Sequence, residues 1–194
     1  MKLYYAPGAC SLADHIALEE AGLSYQTEKV DLKAKKTEAG ADFWSINPKG
    51  YVPALLLDSG EVLTENVALL SWIAEQAPQL TPPGSIGRIH LLEALAYIST
   101  ELHKNFKPFF AGGSDAEKAA AGETITRRLR YLAGTMAGDY LFGARLGVAD
   151  AYLFVMLLWS RKNGVMIPDP LPHFLERMLA RPAVQKVLKA EGLG

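Results

Sequence analysis

The chain has 194 residues, of which 49% are hydrophobic and 21% are charged, a composition typical of a globular protein with one large or two small domains. A formal net charge of -1 provides no basic surface for nucleic acid or an anionic membrane, and no apolar run approaches the roughly 20 residues of a membrane span. Because the N-terminus carries no apolar signal segment and the single cysteine cannot form an internal disulfide, we expect a cytoplasmic protein.

The first part of the chain alternates between strand-like and helix-like runs. In chain order, the predicted elements are a strand at 2–6, a helix at 10–22, a strand at 24–32, a loop or short helix at 33–47, strands at 52–58 and 61–65, and a helix at 66–77. Gly22 is the expected end of the first helix, and Asp58-Ser59-Gly60 is typical of a hairpin turn. Since crossovers between parallel strands are right-handed, the first β-α-β unit should be parallel, and the hairpin completes a four-stranded mixed sheet.

A stretch rich in proline and glycine follows at 78–84 and separates this part from a second, helical part. Helical periodicity returns at 86–106, 115–137, 149–163, 172–180 and 183–191. We therefore predict an α/β domain at 1–78, a linker at 79–84 and an all-helical domain at 85–194.

The only cysteine, Cys10, lies at the predicted start of the first helix, after a Pro-Gly turn. The positive end of the helix dipole and the free backbone N–H groups there favour the thiolate, so the pattern predicts a lowered thiol pKa and a reactive side chain. The alternative is a packed structural residue, since free cysteine is among the most buried residue types. Ser11, the next residue, could donate a second hydrogen bond to a ligand or cap the helix.

Two further positions could bind an extended peptide-like ligand. A cis Val52–Pro53 bond at a strand start would expose the main chain of Val52 for strand-like pairing, although a trans bond is the more common form. Glu65 and Asn66 stand where a strand ends and a helix begins, so the backbone could hold a carboxylate and Glu65 an ammonium group. An ordinary first helical turn is the alternative, because glutamate is favoured there.

His103 and Lys104 interrupt an apolar helical pattern and could face a ligand, or His103 could be a hydrogen-bonded histidine of the core or surface. Lys33, Lys35 and Lys36 are typical of a solvated face, although one of them could reach a ligand carboxylate. The histidines are scattered and no CxxC motif occurs, so we expect no metal site and no dithiol exchange within one chain.

Several separated motifs keep their order and spacing along essentially the whole chain: PGACSLADHIALEEAG, NPKGYVPALLLDSGEVLTEN, STELHKNFKPFF, VADAYLF and RPAVQKVLKAEGL. Together they resemble the bacterial beta class of glutathione transferases. The resemblance implies a thioredoxin-like N-terminal domain of order β-α-β-α-β-β-α, followed by an all-α domain. It also implies a cytoplasmic homodimer that takes glutathione as co-substrate and a small hydrophobic electrophile, with no metal, nucleic acid or membrane partner.

The resemblance implies a glutathione-binding set of Cys10, Lys35, Val52, Pro53, Glu65, Asn66, Thr100, His103 and Lys104. In it, Cys10 contacts the glutathione sulfur and can form a mixed disulfide, while Val52 pairs with the cysteinyl main chain. Glu65 and Asn66 hold the γ-glutamyl end, and Lys35 reaches the glycyl carboxylate side. The remaining members from the helical domain lie near the sulfur, and Cys10 and His103 are the expected catalytic residues.

The expected reaction is conjugation of glutathione to an electrophile that enters from the helical domain, against Phe106, Phe109, Phe110 and Trp159. A reactive Cys10 leaves thiol transfer and glutathione-dependent peroxide reduction open. A non-enzymatic carrier of hydrophobic ligands and a glutathione-dependent isomerase are the alternative functions.

Three positions depart from the pattern of the family. Ala96 stands where relatives often carry an asparagine that contacts glutathione across the dimer, so that contact should be missing or replaced. Asn66 stands where glycine or serine is common, and its backbone N–H remains available. Gly147 replaces the hydroxyl residue of a capping box whose acid, Asp150, is retained, and we expect the helix to survive with half of its cap.

Overall fold

The computed structural model describes all 194 residues, which form two compact units. The first unit comprises Met1–Pro78 and Arg181–Gly194, and the second comprises Gln79–Ala180. None of the helices combines the length and the apolar character that crossing a membrane requires.

The first unit is built on a mixed sheet of five strands: β1 (Lys2–Tyr5), β2 (Gln26–Asp31), β3 (Lys36–Thr37), β4 (Ala54–Leu56) and β5 (Val62–Thr64). Their order across the sheet is β3-β2-β1-β4-β5, and only the β1–β2 pair is parallel. The parallel β1-α1-β2 element and the β4–β5 hairpin are as predicted. The prediction of a four-stranded sheet was wrong by one strand, because β3 has only two residues and is too short to show an alternating sequence pattern.

Four helices complete the first unit: α1 (Ser11–Glu20), α2 (Phe43–Ile46), α3 (Asn66–Gln76) and α9 (Pro182–Ala190). Leu12, Ile16 and Leu18 of α1 are buried, so this helix lies within the core of the unit. Gly22 takes the left-handed conformation (φ 66°) just beyond the end of α1, as predicted for a helix stop.

The C-terminal helix α9 belongs to the first unit, which corrects the prediction that 85–194 forms one helical domain. Arg181 forms a two-pronged ion pair with Glu20 of α1. Just beyond α9, Oε1 of Glu191 lies 2.8 Å from Nδ1 of His15, and both side chains are buried. An amphipathic pattern identifies a helix but not the surface that its apolar face covers, so these long-range contacts were not predictable.

The second unit is entirely helical: α4 (Gly87–Tyr97), α5 (Lys107–Phe110), α6 (Asp115–Thr135), α7 (Val148–Lys162) and α8 (Leu171–Leu179). A π-helical turn at Ile98–Leu102 and a 3₁₀ turn at His103–Phe106 connect α4 to α5. The predicted continuous helix at 86–106 is therefore interrupted. Most residues of α7 are buried, so this helix forms the centre of the unit.

Helix α7 retains one half of its capping box, as expected. Oδ2 of Asp150 accepts a hydrogen bond from the Gly147 N–H at 2.7 Å, and Oδ1 accepts one from the Leu141 N–H at 2.9 Å. Gly147 has no side chain to return a bond, and a Cβ added there would lie 3.1 Å from the carbonyl oxygen of Leu80. The close approach of Leu80 thus explains why the smallest residue is accommodated at this cap.

Candidate functional site

Cys10 and Val52, two residues predicted to bind the same ligand, are in direct contact. Cys10 occupies the N-cap position of α1, and its thiol donates a hydrogen bond to the carbonyl oxygen of Val52 at an Sγ–O distance of 3.5 Å. The Val52–Pro53 peptide bond is cis, which is the less common of the two forms that the sequence left open. The turn between β1 and α1 is thereby held against the residue that precedes β4.

The Cys10 thiol is less acidic than its position at a helix start suggested. Burial raises its pKa to about 12, and the negative charge of an ionised Asp14 acts in the same direction. The backbone N–H groups of Cys10 and Ser11 lower the pKa, but by less than burial raises it. The predicted lowering of the thiol pKa is therefore wrong for this structure. The prediction from the dipole considered the helix alone and omitted the surroundings of the sulfur.

Ser11 is fully buried and does not cap the helix, because the N-cap residue is Cys10. Its Oγ lies 3.3 Å from the N–H and 3.4 Å from the carbonyl oxygen of Ala6, directly after β1. The hydroxyl therefore ties the start of α1 back to the end of the first strand.

Glu65 presents a carboxylate at the start of α3. Its backbone has a φ of 76°, which is uncommon for a residue other than glycine and is often found at functional sites. Oε1 accepts hydrogen bonds from the Lys49 ammonium at 2.5 Å and from the Tyr51 hydroxyl at 2.7 Å, and these bonds lower the carboxyl pKa. Half of the side chain is exposed (51%), so a ligand cation can reach this anion.

The Asn66 side chain connects the starts of α1 and α3. Its Nδ2 donates to the Cys10 carbonyl oxygen and to Oδ2 of Asp14, both at 2.9 Å. Asp14 is fully buried, and its Oδ1 has no hydrogen-bond partner. Sequence reasoning missed Asp14, because a single acid in the first turn of a helix is ordinarily read as a favourable charge at the dipole.

Lys35 lies near the same part of the first unit and also has a positive φ (55°). Its ammonium group donates to the Gly50 carbonyl oxygen at 2.6 Å and lies 5.5 Å from the centroid of the Trp44 ring. Gly50 has a φ of 69°, and a Cβ there would lie only 2.4 Å from the indole of Trp44. A side chain at position 50 would therefore be strained by the positive φ and would displace the indole of Trp44.

The predicted members of the second unit lie around His103. Its Nδ1 shares a hydrogen bond with the Tyr152 hydroxyl at 2.7 Å, and its ring meets the Trp159 ring edge-on at 5.0 Å. Burial lowers the pKa of His103 to about 4, so the imidazole is neutral at neutral pH. Lys104 is exposed, and the Thr100 hydroxyl donates to the Ala96 carbonyl oxygen at 3.0 Å.

The four aromatic residues predicted to hold an electrophile form one cluster. The centroid of the Phe106 ring lies 6.0 Å from that of Phe109, 6.2 Å from that of Phe110 and 5.3 Å from that of Trp159. The ring centroids of Phe110 and Trp159 are 4.8 Å apart. Phe106 and Trp159 are buried, whereas 55% of Phe110 is exposed. The cluster therefore consists of buried rings and one ring that is accessible from solvent.

The structure brings the predicted residues together within each unit. In the first unit, Cys10 contacts Val52 and Asn66, Glu65 precedes Asn66, and Lys35 bonds the segment before Val52. Sequence reasoning missed Lys49 and Tyr51, although both lie inside the motif NPKGYVPAL. Their side chains reach Glu65 across 16 and 14 positions of sequence, a pairing that local spacing cannot show.

Two family models match the chain: the glutathione S-transferase N-terminal domain over residues 9–76 and the glutathione S-transferase C-terminal domain over residues 91–182. Glutathione S-transferase GstA of Escherichia coli O157:H7 is 43% identical over the full length of both chains. A sphingomonad glutathione S-transferase solved with glutathione is 49% identical (TM-score 0.91, full length of both chains). A bacterial beta class glutathione S-transferase of Sphingomonas chungbukensis is 45% identical (TM-score 0.89, full length of both chains).

Proposed function

Because the chain belongs to the glutathione S-transferase family, we propose that it conjugates glutathione, through its sulfur, to small hydrophobic electrophiles, with glutathione bound to the first unit. It is a transferase that uses glutathione. The observation that supports the proposal is the contact of Cys10 with Val52 and Asn66, three residues that the sequence predicts to bind glutathione.

The γ-glutamyl end of glutathione is an amino acid zwitterion, and Glu65 and α3 match its two charges. The ligand ammonium would replace Lys49 and Tyr51 as the hydrogen-bond donor to the Glu65 carboxylate. The ligand carboxylate would accept hydrogen bonds from the backbone at the start of α3, where the helix dipole favours an anion. The cysteinyl main chain would pair with Val52 in the manner of an added strand, and Lys35 would reach the glycyl carboxylate.

In conjugation, the glutathione thiolate attacks the electrophile, a carbon–sulfur bond forms, and the leaving group departs with its electron pair. We propose that Cys10 assists as a neutral thiol that donates a hydrogen bond to the glutathione sulfur. The raised pKa of Cys10 supports this role, because a group that keeps its proton can donate it to a neighbouring anion. A mixed disulfide with Cys10, and hence thiol transfer or peroxide reduction, is the rival outcome.

The helical unit would supply the surface for the electrophile. The cluster of Phe106, Phe109, Phe110 and Trp159 offers aromatic faces and edges to a flat apolar substrate, and this supports an aryl or alkyl electrophile. His103 would act there as a neutral hydrogen-bonding group held by Tyr152. Lys104 and Thr100 remain predicted members of the glutathione site.

We also propose that the protein is a cytoplasmic homodimer with a role in detoxification. Ile86, Ile89 and Leu92 are exposed at 55%, 61% and 47% and recur at intervals of three along the start of α4. Such an apolar stripe is typical of a subunit interface. A free thiol at the site suits the reducing cytoplasm.

The test combines turnover with mass spectrometry. With glutathione and 1-chloro-2,4-dinitrobenzene, we expect thioether formation in the wild type and in Cys10→Ala with reduced rate. Incubation with oxidised glutathione, followed by intact-mass measurement, should leave Cys10 largely unmodified. Glutathione binding without turnover on any electrophile would instead support a carrier, and loss of all conjugation in Cys10→Ala with a stable Cys10 adduct would support covalent chemistry.

A further inference from the structure

We propose that Asp14 and Asn66 form a positioning pair for Cys10, in which an uncharged Asp14 holds the Asn66 amide and the amide fixes the Cys10 carbonyl. The proposal rests on the glutathione site described above, because Cys10 and the start of α3 belong to that site. Neither residue needs to touch the ligand through its side chain, so both act through Cys10 and the starts of the two helices.

The geometry uses both hydrogens of one amide. Asn66 Nδ2 lies 2.9 Å from the Cys10 carbonyl oxygen and 2.9 Å from Asp14 Oδ2, so each N–H has an acceptor. The two acceptors belong to the N-cap and the first turn of α1, while the donor is the first residue of α3. A single side chain thus sets the spacing between the two helix starts that face glutathione.

The surroundings of Asp14 favour the protonated acid. Its side chain is fully buried, Oδ1 has no partner, and Oδ2 accepts a hydrogen bond from the neutral Asn66 amide. The backbone N–H of Asp14 itself favours the charged form, but its effect is smaller than that of burial. A buried carboxylate normally requires a cation or several donors, and an uncharged carboxyl is far less unfavourable in this position. Burial also raises the pKa of this carboxyl well above its ordinary value.

No positive group compensates Asp14 from the elements packed against α1. The basic residues of α9 and its N-cap that bind α1 are engaged elsewhere, since Lys186 pairs with Glu19 and Arg181 with Glu20. Two further charged pairs lie on or beside these elements: Lys2 with Glu28, and His15 with Glu191. The remaining titratable groups there are Tyr4 and Tyr5 of β1, Lys189 of α9, and Glu65 and Glu75 at the start and near the end of α3.

The uncharged state has a consequence for Cys10. An ionised Asp14 would oppose negative charge on the sulfur, whether that charge belongs to Cys10 or to a bound glutathione thiolate. A protonated Asp14 still accepts from the amide through Oδ2, although less strongly than a carboxylate would. It removes one of the two carboxylate charges that oppose negative charge on the sulfur, and the charge of Glu65 remains.

The test uses Cys10 as a built-in probe, since it is the only cysteine in the chain. The alkylation rate by iodoacetamide is measured from pH 6.5 to 8.5 for the wild type, Asp14→Asn, Asp14→Leu, Asn66→Ala and Ile73→Val. Ile73 is buried in α3 and serves as the control for general loss of packing.

Asp14→Asn keeps the acceptor and removes any charge, so we expect its alkylation rate at pH 7.5 to stay within about twofold of the wild type. A rate increase of about tenfold or more, which corresponds to one pKa unit, would show that Asp14 is charged and would overturn the proposal.

The positioning role is read from glutathione kinetics on the same variants. Asp14→Leu and Asn66→Ala should raise the KM for glutathione about fivefold or more, whereas Asp14→Asn should restore it to within about twofold of the wild type. The effects of Asp14→Leu and Asn66→Ala should be less than additive in the double variant, because both break one unit. A KM in either single variant equal to that of Ile73→Val would refute the pair. A wild type without glutathione turnover would refute the proposed function instead, and the alkylation profiles would still report on Asp14.

Discussion

At the scale of single residues, the surroundings of Cys10, His103 and Glu65 determine which of these groups carry charge. Cys10 keeps its proton because it is buried, His103 loses its proton for the same reason, and Glu65 keeps its charge because two donors hold it. Burial and hydrogen bonding, rather than sequence position, therefore determine the protonation states at the proposed glutathione site.

Glu65 is expected to bind glutathione mainly through its charge. Glu65→Gln keeps the size and the bond to Tyr51 but loses the anion, so the KM for glutathione should rise about tenfold while kcat changes by less than about threefold. Steady-state kinetics measure both constants. Glu61→Gln, which alters an exposed acid bonded to Ser59, is the matched control and should leave both unchanged. An unaltered KM in Glu65→Gln would exclude an ionic role.

His103 is expected to be neutral throughout the working range. Its folded pKa of about 4 lies below the ordinary 6.5, so its contribution to stability is present above pH 6.5 and is lost as the pH falls from 6.5 towards 4. Urea unfolding across this interval should show that decline, and His103→Phe should lessen it. Activity between pH 6.5 and 8 should show no inflection from this residue. An inflection near pH 6.5 that disappears in His103→Phe would contradict the assignment.

At the scale of secondary structure, the cap of α7 depends on Asp150. Asp150→Ala removes two buried hydrogen bonds and leaves two N–H groups without partners, and we expect a loss of about 2–4 kcal/mol in the free energy of unfolding. Gly147→Ser would restore the missing half of the cap, but its Cβ would press on the Leu80 carbonyl. We expect a net change within about 0.5 kcal/mol. Urea denaturation of both variants tests the pair of expectations, and a large gain in Gly147→Ser would contradict the steric argument.

Elements with strong local signals were predictable from the sequence, and those set by distant contacts were not. Gly22 and the Asp58-Ser59-Gly60 turn marked element ends through their own backbone preferences. The two-residue strand β3 and the π-helical turn at Ile98–Leu102 have no periodicity of their own. The same contrast holds in the proposed site, where Cys10 and Val52 were predicted from motifs and Asp14 was recognised only through its contact with Asn66.

At the scale of the whole molecule, the last residues of the chain complete the first unit. Glu191 accepts from the Gly8 N–H at 2.9 Å and pairs with the buried His15, so its carboxylate holds the turn before Cys10. Glu191→Ala should lower the free energy of unfolding by about 3 kcal/mol, since it leaves buried polar groups without a partner. Differential scanning calorimetry measures the loss. Glu176→Ala, at an exposed acid of α8, is the control, and an equal effect in both would contradict this role.

The proposed dimer is tested through the apolar stripe of α4. Ile89→Glu introduces a charge at the most exposed of its three residues, so sedimentation velocity should show a monomer where the wild type shows a dimer. Met166→Glu places the same charge at another exposed apolar residue of the helical unit and should leave the dimer intact. A dimer that persists in Ile89→Glu would place the interface elsewhere.

The indole of Trp44 supplies an intrinsic optical probe of the proposed binding position for the glycyl end of glutathione. It lies against Gly50, is 48% exposed, and has the Lys35 ammonium 5.5 Å from its ring centroid. A glutathione carboxylate that draws Lys35 away would change the electric field at the ring, and the emission of Trp44 would shift with occupancy. Titration fluorimetry could therefore follow ligand binding without any label, and Trp44→Phe would identify this indole as the source of the signal.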